Sequence, residues 1–386
     1  MTAIAPQPGL PRTRRHDRPR SFLGIAWREL DWLFLGACIA ISAIGLMMVY
    51  SASRHRVADP AYFVQRQAIS IVVALVVFVV ILRIDYRKFR DFSLLAYLVT
   101  CLMLVAVLTP LGSNSKGAQA WFQVAGGFQF EPSEVAKFGL IIALAGYVNE
   151  HRGDVDPWRL TVICALALVP VGLIQLQPDL GTNMVLLAIV ITLLAVAGIR
   201  ARYLLVLALL GLTGIFAVVQ LGLLKEYQVA RLTALVNPKG DTSGSAYNQD
   251  QSKNSIGSGG LFGKGYLEGS QTQLGFVPEQ HTDFIFTAVG EELGFVGAAT
   301  LLALFAIVVW RTWRTARLAR DYYGNLVCAG VLGMIAFQVF ENVGMCLGIM
   351  PVTGIPLPLM SYGGSSLIAT AACIALVANV HQRRFS

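Results

Sequence analysis

Charge is scarce in this sequence. Asp, Glu, Lys and Arg make up 13% of its 386 residues, about half the roughly 25% typical of soluble domains. With 55% hydrophobic residues and a mean hydropathy of +0.63, that shortage excludes an ordinary water-soluble globule and makes lipid the expected solvent. Metal and disulfide patterns are missing as well. The six cysteines (Cys38, Cys101, Cys164, Cys328, Cys346 and Cys373) all lie in apolar stretches without a CxxC or Cys/His spacing, so they read as small apolar residues. There is no internal repeat and no soluble domain. No small-residue cleavage site accompanies the first apolar run, which therefore reads as an anchoring helix and not as a removable signal.

What the chain does have is long apolar runs. A helix needs about 20 mostly apolar residues to cross ~30 Å of hydrocarbon. Ten such runs stand at roughly 32–50, 67–84, 92–110, 132–149, 160–176, 183–199, 203–224, 283–310, 325–349 and 364–381. They are expected to be helices, because lipid offers backbone groups no partner and no barrel-like alternation is visible. The expected fold is an all-α integral membrane protein of ten transmembrane helices. Residues 1–31 form a basic cytoplasmic tail (Arg12, Arg14, Arg15, Arg18, Arg20, Arg28), 32–381 the membrane domain and 382–386 a cytoplasmic tail. With both ends inside, the cytoplasmic segments hold 20 of the 30 Lys and Arg residues, as the positive-inside bias requires. The net charge of +8 is thereby accounted for without nucleic acid. The long segment 225–282, between the seventh and eighth runs, falls outside the cell; it is rich in Gly, Ser, Asn and Gln, and loops of that length are usually functional or disordered.

Five constellations stand out. Pro278-Glu279-Gln280-His281-Thr282-Asp283 closes the long loop and places Asp283 at the boundary of the eighth run. A partly desolvated carboxylate there is suited to take a proton, and equally to cap the helix. Glu134 and Lys137 lie three apart on one helix face; in a span both must face protein or a cavity, as a structural ion pair or a working one. Gln177-Pro178-Asp179-Leu180-Gly181-Thr182 is a turn in which Asp179 caps the next helix or meets substrate. Pro351-Val352-Thr353-Gly354-Ile355-Pro356-Leu357-Pro358, continuing to Ser361-Tyr362-Gly363-Gly364-Ser365-Ser366, cannot stay helical. Irregular backbone at membrane depth is tolerated only in protein or along a cavity, so this stretch is a rigid re-entrant turn, a cradle for phosphate or sugar, or both. Ser258-Gly259-Gly260-Leu261-Phe262-Gly263-Lys264-Gly265 lacks P-loop spacing, and nucleotide binding is rejected there. Mid-span, Glu341 beside Asn342 is expected to be paired or protonated and to face the bundle interior.

Together these motifs resemble the SEDS family (shape, elongation, division and sporulation), whose members include RodA and FtsW. The similarity covers nearly all of the chain after about residue 30, most specifically 342–366 and the stretch from Tyr247-Asn248 to Thr282-Asp283-Phe284. The Gly-Lys-Gly segment is nearer the RodA branch. The resemblance implies a peptidoglycan glycosyltransferase that acts on lipid II at the extracytoplasmic side of the cytoplasmic membrane, serving cell-wall elongation and shape. It implies Asp283 as the acid/base residue, Glu134 and Lys137 as a required pair, and a class B penicillin-binding protein, a transpeptidase, as partner. One departure concerns Trp121: many members carry Arg just before it, and here Ala120 stands there. Arg231 or Lys264 is the expected substitute for that cation. Trp121, Asp179, Glu279, His281, Ser361, Tyr362 and Ser365 complete the candidate substrate-binding or supporting residues. No metal cage is visible, so a divalent cation (Mg2+ or Mn2+) is expected to ride on substrate phosphates. Two other readings stay open: a flippase for the lipid-linked precursor, since intramembrane charges and broken helices also suit a transporter, and an FtsW-type division polymerase.

Overall fold

The computed structural model describes residues 29–54, 59–115, 118–124, 127–151, 156–207, 209, 211 and 244–384. Arg231 and most of the apolar run at 203–224 lie outside the described residues. Before that gap come α1 (Trp32–Ser53), α2 (Tyr62–Arg83), α3 (Tyr86–Asp91), α4 (Ser93–Val107), α5 (Pro132–Glu150), α6 (Pro157–Leu176) and α7 (Leu180–Val196). After it follow α8 (Ser245–Ser258), α9 (Ser270–Leu274), α10 (Ile285–Glu292), α11 (Gly294–Leu318), α12 (Tyr322–Cys346) and α13 (Gly364–Gln382). Among the described residues, six helices (α1, α2, α6, α11, α12 and α13) are long and apolar enough to cross a membrane, judged by length and composition.

Several helices start where a side-chain oxygen meets their open N–H groups. Asp31 caps α1 through Phe34 N, Asp156 caps α6 through Arg159 N, Asp179 caps α7 through Thr182 N, and Asp321 caps α12 through Gly324 N. Pro132 and Pro157 occupy first-turn positions that need no N–H donor.

The interior of the bundle is α5, α12 and α13. Fifteen of the nineteen residues of α5 are buried, and α5 touches α4, α7, α12 and α13. Without a hydrophobic drive between helices in lipid, close approach depends on small residues. Gly139 and Gly146, one heptad apart on α5, lie where a methyl would strike Thr100 and Ser93 of α4. Gly333 does the same for α12 against Thr192 of α7. By contrast α2 and α6 are mostly bare, with 22% of their most apolar stretch buried; they form the lipid-facing rim.

Three features differ from an all-helical, ten-rod picture. The 111–131 segment folds a three-stranded antiparallel sheet, β1 (Ser113–Ser115), β2 (Ala118–Val124) and β3 (Phe128–Phe130), with Ser113 opposite Trp121 and Phe122 opposite Phe130. The 225–282 loop contains α8 and α9 in its described part. The run expected as one helix over 283–310 is broken at Leu293 into α10 and α11, because Gly294 takes φ +66°, a region that favours glycine.

Candidate active site

Asp283 sits on the turn that delivers the chain into α10. The carbonyl of Glu279, itself at φ +49°, accepts from Thr282 N (3.2 Å) and Asp283 N (3.1 Å). This local knot sets the carboxylate at the helix entrance, partly exposed, while Phe284 and all eight residues of α10 are buried. The 351–358 stretch runs directly against it. Gly354, at φ +78°, presents a bare Cα to the acid: a methyl there would lie 3.3 Å from Asp283 Oδ2. Asn342, fully buried on α12, fastens the two segments by donating from Nδ2 to Asp283 O (2.7 Å) and to Ile355 O (2.8 Å). Next to it, Thr353 Oγ1 donates to Glu341 Oε1 (2.9 Å), so the mid-span acid faces the interior and is met from the same loop.

The turn at 177–182 closes the other side of that loop. A methyl on Gly181 would lie 2.8 Å from Ile355 Cγ1 and 2.9 Å from Thr353 O. Asp179 therefore stands at the edge of the 353–355 segment, its Oδ1 accepting from Thr182 N at 2.9 Å.

Glu134 and Lys137 meet in the first turns of α5, Nζ to Oε1 2.7 Å, with side chains 4% and 2% exposed. Glu131, just ahead of that helix, carried no special signal in the sequence, yet it joins three motifs. Its N–H donates to Ser365 Oγ (2.9 Å) and its Oε1 accepts from Ser133 Oγ (2.7 Å). Burial, and after it the Glu134 and Asp179 carboxylates, push the Glu131 carboxyl up to about 8, against the Ser133 hydrogen bond and the Lys137 charge. An acid held neutral in the fold but ionised in the unfolded chain above its ordinary 4.5 costs stability progressively as pH rises between those two values and not below them. Glu131→Gln removes that cost. Its melting temperature in detergent is expected to match wild type near pH 4.5 and to exceed it by a margin that widens up to about pH 8; a margin that does not change with pH would contradict the assignment.

Around the mouth lies an aromatic group. Phe63 meets His281 at a tilt (ring centroids 4.6 Å) and Tyr362 edge-on (5.1 Å), and Tyr362 N donates to His281 O (2.9 Å). Ser361 Oγ accepts from Leu357 N (2.8 Å), and Gln67 Nε2 donates to Ser361 O (3.1 Å). Ser365 Oγ also donates to Gln129 O (3.2 Å), tying the start of α13 to β3. Among the described residues no group of three or more His, Cys, Asp and Glu is placed to hold a metal ion.

Residues 31–385 match the FtsW/RodA/SpoVE family model, described as a cell cycle protein. The chain belongs to the FtsW/RodA/SpoVE family. Stage V sporulation protein E of Bacillus subtilis is 37% identical over 357 residues, covering 91% of this chain and 96% of that protein. Peptidoglycan glycosyltransferase MrdB of Escherichia coli K12 is 36% identical over 359 residues, covering 92% and 94%. A chain solved in work on the structural coordination of polymerisation and crosslinking by a peptidoglycan synthase complex superimposes with a TM-score of 0.79 at 34% identity, covering 93% of this chain and all of that one. Like its family, the chain is a multi-pass helical membrane protein.

In this FtsW/RodA/SpoVE member the remaining candidates make contacts of their own. Trp121 is half-buried on β2, its carbonyl accepting from Ser113 Oγ (3.0 Å). Lys264 is committed elsewhere: Nζ lies 2.7 Å from buried Glu291 Oε1 and 2.8 Å from Ser270 Oγ. Arg66 was overlooked in the sequence because it sits at the edge of an apolar run. It donates to Gly127 O (2.7 Å), covers the Tyr62 ring at 4.5 Å and is a hydrogen-bond neighbour of Tyr362.

Proposed function

We propose that this family member is a peptidoglycan glycosyltransferase that polymerises lipid II into glycan strands. The observation that carries the reading is 36% identity to a protein named peptidoglycan glycosyltransferase, across 92% of this chain and 94% of that one. In the proposed reaction the Asp283 carboxylate takes the proton from the acceptor GlcNAc 4-hydroxyl. The freed oxygen attacks the donor MurNAc anomeric carbon, the bond from that carbon to diphosphate breaks, and polyprenyl diphosphate leaves. One displacement inverts the anomeric centre. A diphosphate leaving group departs without the second carboxylic acid that an inverting glycosidase uses.

The cationic support for that leaving group is Arg66 in this reading. Arg66 stands at the aromatic mouth against the Tyr62 and Phe128 rings, whereas Lys137 is enclosed with Glu134 and Lys264 lies against Glu291. A divalent cation, Mg2+ or Mn2+, would be carried by the diphosphate itself, since the described carboxylates form no cage.

The proposed topology is ten spans with both termini in the cytoplasm, and two contacts between the described ends support it. Arg311 Nε lies 2.6 Å from Asp31 at the start of α1, and His381, near the end of the last helix, lies 3.9 Å from the same carboxylate. Asp31 and His381 thus share one side of the bundle; in this reading that side is cytoplasmic and Asp283 faces the extracytoplasmic side. The proposed partner is a class B penicillin-binding protein, supported by the similarity to a chain of a peptidoglycan synthase complex, and the proposed duty is RodA-like elongation. Purified chain in vesicles with such a partner and lipid II is expected to yield polymer that a muramidase digests; translocated lipid II without polymer would establish a flippase instead.

A further inference from the structure

We infer that the loop from Gly259 to Gly265 is a membrane anchor whose tip, Leu261 and Phe262, is immersed in lipid acyl chains. Four backbone hydrogen bonds clamp this loop across the break between α10 and α11: Lys264 N to Glu291 O (3.0 Å), Gly265 N to Glu292 O (3.1 Å), Phe295 N to Gly260 O (2.9 Å) and Val296 N to Leu261 O (3.0 Å). The contact is so close that a methyl on Gly294 would lie 2.7 Å from Leu261 O. The loop therefore occupies the level of the first turn of α11. Leu261 and Phe262 are 64% and 81% exposed, beside Phe295 and Val296 at 66% and 48%.

The depth of that level follows from α1, which serves as a ruler. At one end Asp31 accepts from Arg311 (2.6 Å), and at the other Ser51 donates to Glu292. Twenty residues at 1.5 Å each place those contacts ~30 Å apart, the thickness of the hydrocarbon core. Phe295 lies in the first turn of α11, past the break and on the hydrocarbon side of Glu292, and the loop tip is hydrogen-bonded at that height. The apolar tip thus continues the lipid-facing surface of a helix that itself meets the criteria for a membrane span. Acyl chains are its occupant. The inference stands on this geometry and does not depend on the proposed reaction.

The test uses the full chain with its six native cysteines replaced, one spin-labelled Cys at a time, in phosphatidylethanolamine–phosphatidylglycerol vesicles without any partner. The label goes at 262 or 261, at lipid-facing 168 on α6 (Leu168 is 62% exposed), or at exposed 253 on α8. Labels at 262 and 261 are expected to relax strongly with oxygen and weakly with a water-soluble nickel chelate, as at 168. Nickel accessibility equal to that at 253 would overturn the anchor, and so would protection from both reagents, which would mean that protein covers the tip. Substitution at 261 and 262 leaves the four backbone hydrogen bonds available, and a retained monodisperse elution profile confirms that the labelled proteins are folded.

Discussion

Asp283→Asn is expected to lower glycan polymerisation by about 10²–10⁴-fold, the usual contribution of a positioned general base, while melting at the wild-type temperature. The two halves of this expectation have different causes. Asparagine keeps the size of the side chain but cannot accept a proton from a sugar hydroxyl at neutral pH. The structural links given above run through the backbone: Asp283 N to Glu279 O, and Asn342 Nδ2 to Asp283 O. Asparagine preserves both. Polymer yield from lipid II, measured with the partner present, together with a melt in detergent, checks the pair of outcomes. Near-normal polymerisation would remove Asp283 from the chemistry. A large drop in melting temperature would make the carboxylate a structural group; it is not a helix cap, since Phe284 holds the N-cap position of α10 without a side-chain cap.

Lys137→Met should be the more damaging change to the fold. The ammonium and the Glu134 carboxylate are 2.7 Å apart and nearly sealed from solvent, so deleting one leaves the other charge buried without compensation. Such breakage costs about 3–5 kcal/mol, whereas exchanging both partners for neutral groups of similar volume is often nearly neutral. The double variant Glu134→Gln/Lys137→Met should therefore regain most of the lost melting temperature. If it also regains polymerisation, the pair only holds the bundle together. If it is stable but inactive, the charges themselves act on the substrate, and the proximity of Glu131 and Asp179 supplies a reason. A single variant as stable as wild type would contradict the buried-pair energetics.

Much of this arrangement was legible in the sequence because membrane proteins write their rules in coarse letters. Runs of apolar residues located the helices, and a polar residue inside such a run had to face protein, which singled out Glu134, Lys137 and Glu341. Pro and Gly at 351–364 announced irregular backbone. Long-range apposition was not legible. Nothing in the local pattern brings Gly354 to Asp283 or Thr353 to Glu341, since those contacts depend on how α10, α12 and the loop pack. The strands at 113–130 were hidden because short, irregular strands lack a strong alternation. The break at Leu293 was hidden inside an apolar stretch that reads as one span. Lys264 attracted a functional reading through its glycine neighbours, yet its position is set by Glu291, a residue 27 positions away. Glu131 was missed for the opposite reason: an acid before a helix is ordinary until its neighbours are known.

The amide of Asn342 has a mechanical consequence. By holding the carbonyls of Asp283 and Ile355 together, it makes the segment that carries Asp283 and the proline-rich segment one rigid jaw. A polymerase must shift its growing strand after every disaccharide added, and that travel cannot come from this jaw opening without breaking two buried hydrogen bonds. The moving part has to be a wall that these two bonds do not join, and α2 is not that wall, since Gln67 and Phe63 tie it to the same jaw. A compound that wedges the free wall in place would stall translocation while leaving Asp283 untouched.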